Sequence, residues 1–164
     1  MDNPVTRDRW HFEDLELGRA FTLGPQRVTA EAIKTYAGEF DPLPFHLDEA
    51  AAKASILGGL AASGFHTAAL SLRMLVEAML SHCAAMGGLG FEKLSWRRPL
   101  MAGDSLGGVA TITGLRRSAS NPHTGIVNVH LEMRNQNGQE VMAMTLSNIV
   151  EIRHPHPLVL GPAQ

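Results

Sequence analysis

Cysteine is almost absent: Cys83 stands alone among 164 residues, so the chain can close no intramolecular disulfide and build no thiolate-rich zinc site. A reducing, cytoplasmic setting fits that usage. An excess of positive charge is missing as well. Fourteen Lys and Arg face sixteen Asp and Glu, a net charge of −2, which leaves no basic field to displace counterions from DNA or RNA. Charged residues make up only 18% of the chain and hydrophobic ones 45%, the reverse of a disorder-prone composition. The opening Met1-Asp2-Asn3-Pro4 has neither the basic start nor the apolar run of a secretory leader. An uncharged stretch from Ala54 to Leu72 has the length to cross a bilayer. It carries Gly58, Gly59, Gly64, Ser55, Ser63, His66 and Thr67, however, and reads as a loop feeding a buried helix of a soluble protein.

What is present is enough apolar residue for one core. The length favours a single domain over residues 1–164, with 1–11 and 154–164 as peripheral tails. Phe12, Leu15 and Leu17 are the apolar anchors of the lead-in. A strand over Ala20 to Val28, interrupted at Gly24-Pro25, precedes Thr29, an N-cap with Glu31 in the first turn. In the helix that follows, Ile33, Tyr36, Ala37 and Phe40 share one face, and Asp41-Pro42 stops it. Two prolines make Asp41 to His46 a rigid loop. Asp48 caps an Ala-rich helix through Leu57, ended by Gly58-Gly59.

From Gly64 to about Ser81, Phe65, Ala68, Ala69, Leu72, Leu75, Val76, Met79 and Leu80 form a stripe wide enough to predict a largely enclosed helix. Beyond Gly87-Gly88 the period becomes two. Val127, Val129, Leu131 and Met133 alternate with polar residues, Asn137-Gly138 supplies a hairpin turn, and the return strand runs from Glu140 to Ile152. Met142, Met144, Leu146, Val150 and Ile152 share its inner face. Further strands are expected over Leu89 to Arg97 and Leu106 to Leu115, joined by Ala102-Gly103-Asp104. This order predicts an α+β fold, a curved antiparallel sheet wrapped around one long central helix.

The densest chemical group is Asp41 with His46. A carboxylate and an imidazole converging on one water can divide acid and base roles near neutral pH. The same residues also suit a turn cap and an ordinary loop histidine. As a coupled pair they titrate together, so the sequence assigns the first proton to neither. With Ser63 as N-cap, the Gly64 N–H is an unpaired donor at a helix start, where the dipole favours negative charge; a plain helix start needing no Cβ would look the same. Arg97, Arg98, Arg116 and Arg117 are candidate phosphate contacts or solvated charges. Met74, Met79, Met86, Met142 and Met144 read as core or pocket lining. Cys83 has no arrangement that marks a nucleophile. His154-Pro155-His156 lacks partners at ligand-like spacing, so no metal is expected.

The succession Asp41-Pro-Leu-Pro-Phe-His46-Leu-Asp48, Gly58-Gly59-Leu60-Ala61-Ala62-Ser63-Gly64, Trp96-Arg97-Arg98-Pro99 and Gly103-Asp104 closely resembles the MaoC-like dehydratases and (R)-specific enoyl-CoA hydratases, a hotdog-fold family, over roughly Phe12 to Arg153. The family signature Asp-x-Asn-Pro-x-His places its catalytic pair on Asp41 and His46, and its thioester-binding glycine corresponds to Gly64. Two positions depart from it: Leu43 replaces the Asn, and Ser63 stands where the hydratases often carry His. The resemblance implies syn addition of water to a 2-enoyl thioester, or the reverse dehydration, without metal or other cofactor.

In that reading Asp41, His46 and Gly64 are catalytic. Ser63, Arg97 and Arg98 contact a substrate carried on coenzyme A or phosphopantetheine. The expected partners are the acyl thioester and a second copy of the chain, its sheet joined edge to edge, because one open sheet leaves edges and an apolar face to cover. A hotdog thioesterase, or an acyl-thioester binding module without turnover, would share much of this pattern.

Overall fold

The computed structural model describes residues 9–155. β1 (Ala20–Arg27) is joined by β2 (Ala85–Trp96), β3 (Ser105–Arg117), β4 (Thr124–Arg134) and β5 (Glu140–Glu151) in one antiparallel sheet of order β1-β3-β4-β5-β2. The alternation seen in the sequence is what fixes the register. Val127, Val129, Leu131 and Met133 of β4 are all 0% exposed, each burial contributing roughly 1.5–3 kcal/mol, and a one-residue slip would expose all four. Asn137-Gly138 makes the β4–β5 turn: Gly138 adopts φ +73°, and the Asn135 side chain accepts the N–H groups of Asn137 and Gln139.

Four helices lie between β1 and β2: α1 (Ala30–Phe40), α2 (Pro44–Leu47), α3 (Glu49–Ala54) and α4 (Gly64–Ala78). Thr29 Oγ1 accepts the Ala32 N–H at 3.1 Å and Asp48 Oδ1 the Ala51 N–H at 2.8 Å, so both expected caps form. Met74, Leu75 and Met79 join Leu23, Leu106, Ile112 and Leu131 in one core. A five-stranded antiparallel sheet around one long helix is the hotdog fold that the resemblance implies. No helix among the described residues is long and apolar enough to cross a membrane.

Several expectations need correction. Pro44 sits at the first position of α2, where its missing N–H costs nothing, so part of the expected loop is a helical turn that carries His46. The long helix ends at Ala78, with a 3₁₀ turn over Leu80–His82. It is not enclosed. Phe65, Leu72 and Val76 are 58%, 42% and 41% exposed, while His66, Thr67 and Ser71 face inward. The inward hydroxyls are satisfied within the helix itself, Thr67 Oγ1 donating to Ser63 O and Ser71 Oγ to Thr67 O. Phe40, Leu17 and Met86 also lie outside the core.

The lead-in is clasped to the end of β5. Phe12 packs on Gly125, whose missing Cβ makes room for the ring. Arg153 forms a fork to Asp14, at 3.0 Å to Oδ1 and 2.6 Å to Oδ2, and Glu13 accepts the N–H groups of Arg153 and His154. The Arg153 bonds, with the His11 N–H, hold the Asp14 carboxyl below its usual range. Burial pushes Glu13 up, but the donors from His154 and Arg153 and the Arg117 charge outweigh it, and Glu13 too lies below its usual value. Both pKa values are depressed by folding, so the clasp stabilises the protein at neutral pH and that contribution is lost as pH falls through the folded values, below about pH 4. Asp14→Asn should lower Tm by a few degrees at pH 7 and flatten its fall between about pH 5 and pH 3; a variant with the wild-type acid slope would remove the clasp as the cause.

Candidate active site

The site is built where three helix ends meet one irregular strip of chain. Residues Leu60 to Ser63 run antiparallel to Leu100 to Ala102: Ala62 N–H donates to Leu100 O at 2.8 Å, Ala102 N–H to Leu60 O at 2.9 Å, and Ala61 bridges Met101. The strip holds the Ala61 carbonyl against α2, where it accepts from His46 Nδ1 at 2.8 Å. A carbonyl only accepts, so Nδ1 carries a proton, and in the neutral ring Nε2 is the nitrogen that keeps its lone pair. Nε2 lies 3.7 Å from Asp41 Oδ2. His46 is buried, while Asp41 keeps 29% of its side chain exposed.

Asp41 closes the C-terminus of α1 and Ser63 precedes the first residue of α4. Ser63 does not cap its helix. Its hydroxyl instead donates to Asp41 Oδ2 at 2.6 Å, fixing the rotation of the carboxylate and leaving Oδ1 free of that bond. The expected serine cap is thus a link between two helix ends. Gly64, at the first position of α4, has no carbonyl one turn back for its N–H. Trp96, at the end of β2, lies on it: Nε1 donates to Gly64 O at 2.8 Å, and an added Cβ would stand 2.5 Å from Cε2. Glycine is a steric requirement here.

His46, Gly64, Thr67 and Trp96 line a pocket of about 310 Å³, and Arg97 and Arg98 line it too. Arg97 is paired with Glu140 at 3.5 Å. Arg116 and Arg117 lie elsewhere. Arg117 pairs with Glu13, and Arg116 borders a separate groove with Leu89 and Ile126, so the four arginines do not form one cluster. Cys83 is in the core, its thiol pushed up to about 11 by burial. No group of three or more His, Cys, Asp or Glu that could hold a metal occurs among the described residues. His154 donates its backbone N–H to Glu13, and His156 lies outside the described residues.

Two features around the start of α4 escaped the sequence reading. Trp96 was visible only as part of a motif, and its approach to Gly64 depends on a register no pattern reveals. His66 stacks on Tyr36 with ring centroids 4.5 Å apart, buried, its Nδ1 without a partner among the described residues, and burial lowers its pKa. It falls on what the apolar stripe marked as a helix interior.

The MaoC-like domain model matches residues 14–135. A MaoC-like dehydratase from Rhodospirillum rubrum is 44% identical, with a TM-score of 0.79 over 91% of this chain and 99% of that one. An (R)-hydratase from A. caviae is 25% identical, with a TM-score of 0.67 over 85% and 98%. The uncharacterized protein YdeM of Bacillus subtilis is 26% identical over 139 residues, 85% of this chain and 97% of that one. A family match over most of the chain, on a hotdog frame with its histidine and carboxylate side by side, means that the protein belongs to the MaoC-like domain family.

Proposed function

We propose that the protein adds water to a 2-enoyl thioester, or removes it from a 3-hydroxyacyl thioester. The observation that carries this reading is the 3.7 Å approach of His46 Nε2, the ring nitrogen not bonded to Ala61, to the Asp41 carboxylate, beside a pocket that also reaches Gly64. A water between these two acceptors donates a hydrogen to each and turns its oxygen to C3. His46 Nε2 takes the proton as the C3–O bond forms, and the C2=C3 electrons move toward the thioester oxygen, which the Gly64 N–H receives. The enolate collapses as C2 takes the proton back from Nε2, so OH is added to C3 and H to C2 with no redox partner. A preorganised donor at that oxygen lowers the barrier by about 3 kcal/mol.

Ser63, expected as a substrate contact, acts in this scheme on Asp41 instead. No metal or separate cofactor enters the scheme; coenzyme A or phosphopantetheine arrives as the substrate's arm. Of the two candidate phosphate contacts, Arg98 has no ion-pair partner among the described residues whereas Arg97 has Glu140, so Arg98 is the freer. Thioester hydrolysis is the less favoured reading, because it needs a carboxylate at the carbonyl carbon and Asp41 is instead bound to Ser63 and turned to His46. A second copy of the chain would cover Phe65, Leu72 and Val76 of α4 together with Met86, Leu89 and Phe91 of β2, all exposed.

Loss of enoyl absorbance without release of free thiol is the expected product signature; thiol release would identify a thioesterase, and binding without turnover a non-catalytic module. Asp41→Asn and His46→Ala should each lower turnover by roughly two to four orders of magnitude, and the double variant little further, since both act on one water. Near-wild-type hydration by either single variant would discard the mechanism. Ser63→Ala should keep its fold and KM while kcat drops about tenfold through a loosened carboxylate; a raised KM at constant kcat would return Ser63 to substrate contact. Leu72→Glu is expected to shift sedimentation from dimer to monomer, and a wild-type chain already monomeric at micromolar concentration would refute the pairing.

A further inference from the structure

We propose that Tyr36 and His66 are positioning residues of the site: their stacked rings, with the Ser63–Asp41 hydrogen bond, fix the angle at which the end of α1 meets the start of α4 and so hold the Asp41 carboxylate at its distance from His46. This deepens the hydratase reading and rests on it. The two rings lie nearly parallel, with centroids 4.5 Å apart and planes 5° from each other. Tyr36 precedes Asp41 on α1, and His66 follows Ser63 on α4. The helix ends therefore meet at two points, the stack and the 2.6 Å bond from Ser63 Oγ to Asp41 Oδ2. At a rise of about 1.5 Å per residue these points are roughly 4–8 Å apart along the helices. One hydrogen bond is a pivot on which a helix end can swivel; a second contact displaced from it is a stop.

The site needs such a stop. Asp41 Oδ2 and His46 Nε2 are 3.7 Å apart, beyond a direct hydrogen bond, so His46 does not itself hold the carboxylate. A swivel of about 10° over a lever of about 7 Å carries the carboxylate roughly 1 Å, enough to spoil a catalytic geometry. Packing at this end of α1 is otherwise light. Its buried residues are Ile33 and Ala37, and Ala37 offers only a methyl group. Phe40 is exposed and leans on Tyr36, with centroids 5.0 Å apart. His66 is buried, and neither of its ring nitrogens bonds to a described residue, so the ring is held through its face. Burial lowers its pKa, which keeps the stack between uncharged rings at neutral pH. A phenyl ring would keep this contact without an unpaired buried nitrogen, whereas leucine supplies no face.

The test is hydration of crotonyl-CoA by ring-removing and ring-keeping variants. His66→Leu and Tyr36→Leu should each lower kcat about tenfold or more and leave KM within about twofold, and His66→Phe and Tyr36→Phe should recover most of that loss. Wild-type kcat in either Leu variant would overturn the assignment. So would a His66→Phe protein as slow as His66→Leu, since His66 would then act through a nitrogen. If His66→Leu does not fold, Tyr36→Leu, at the less buried ring, decides. Adding each Leu change to Asp41→Asn tells positioning from general loosening. With the carboxylate already lost, turnover should fall no more than about twofold further; an undiminished further loss would reduce the pair to ordinary packing.

A resonance measurement separates this from failure of the hydratase reading. In protein carrying 15N-labelled histidine, the His46 Nε2 signal is assigned by its disappearance in His46→Ala. Both Leu variants should shift it in the same direction as Asp41→Asn, and both Phe variants should leave it in place. If wild type converts neither crotonyl-CoA nor 3-hydroxybutyryl-CoA, the hydratase reading falls, and this comparison still decides the stack. A His46 signal unmoved in both Leu variants would mean that the rings do not hold Asp41.

Discussion

The antiparallel run of Leu60–Ser63 against Leu100–Ala102 is the constraint on which the site depends. Two backbone hydrogen bonds of 2.8 and 2.9 Å hold a strip that belongs to no named strand, and each residue after Leu60 then serves a different neighbour. The Ala61 carbonyl selects the tautomer of His46, the Ser63 hydroxyl turns Asp41, and the strip ends where the Gly64 N–H begins α4. A displacement of this one segment would disturb the imidazole, the carboxylate and the helix-start N–H together, because their supports are consecutive in the chain.

The sheet was legible from the sequence because its information is local. Val127, Val129, Leu131 and Met133 state both the strand and its buried face, and Asn137-Gly138 states the turn. The Asp41 and His46 pair and Gly64 were legible only through a motif shared with a known family, since nothing in their spacing fixes a distance. What remained hidden depends on contacts between distant residues. Ser63 reads as a cap by position, and only the arrival of Asp41 at the same point redirects its hydroxyl. The apolar breadth of α4 reads as burial, yet its inward positions include Thr67 and Ser71, whose hydroxyls bond back to the helix, so Phe65, Leu72 and Val76 could face outward. Hydrophobicity counts residues on a face; it does not say which face the sheet takes.

The arrangement of α4 follows from two demands on one helix. Its first turn presents Gly64 beside a pocket, with His66 and Thr67 facing inward, while its later turns close the core with Met74 and Leu75, and Met79 follows just past its end. The inward face therefore changes from polar and small to apolar along its length. That gradient sets Gly64 and the pocket at the polar end of the helix and the apolar core contacts toward the other.

The bond between Arg153 and Asp14 joins residues 139 positions apart. Closing so long a loop early brings an entropic cost with no neighbouring contact to repay it, so the clasp is expected to form once the sheet already exists. Its loss accordingly acts on the rate at which the finished protein opens, not on the rate at which the sheet is assembled. The lead-in thus works as a latch fastened last, bearing on how long the fold survives and leaving the assembly of the site to the middle of the chain.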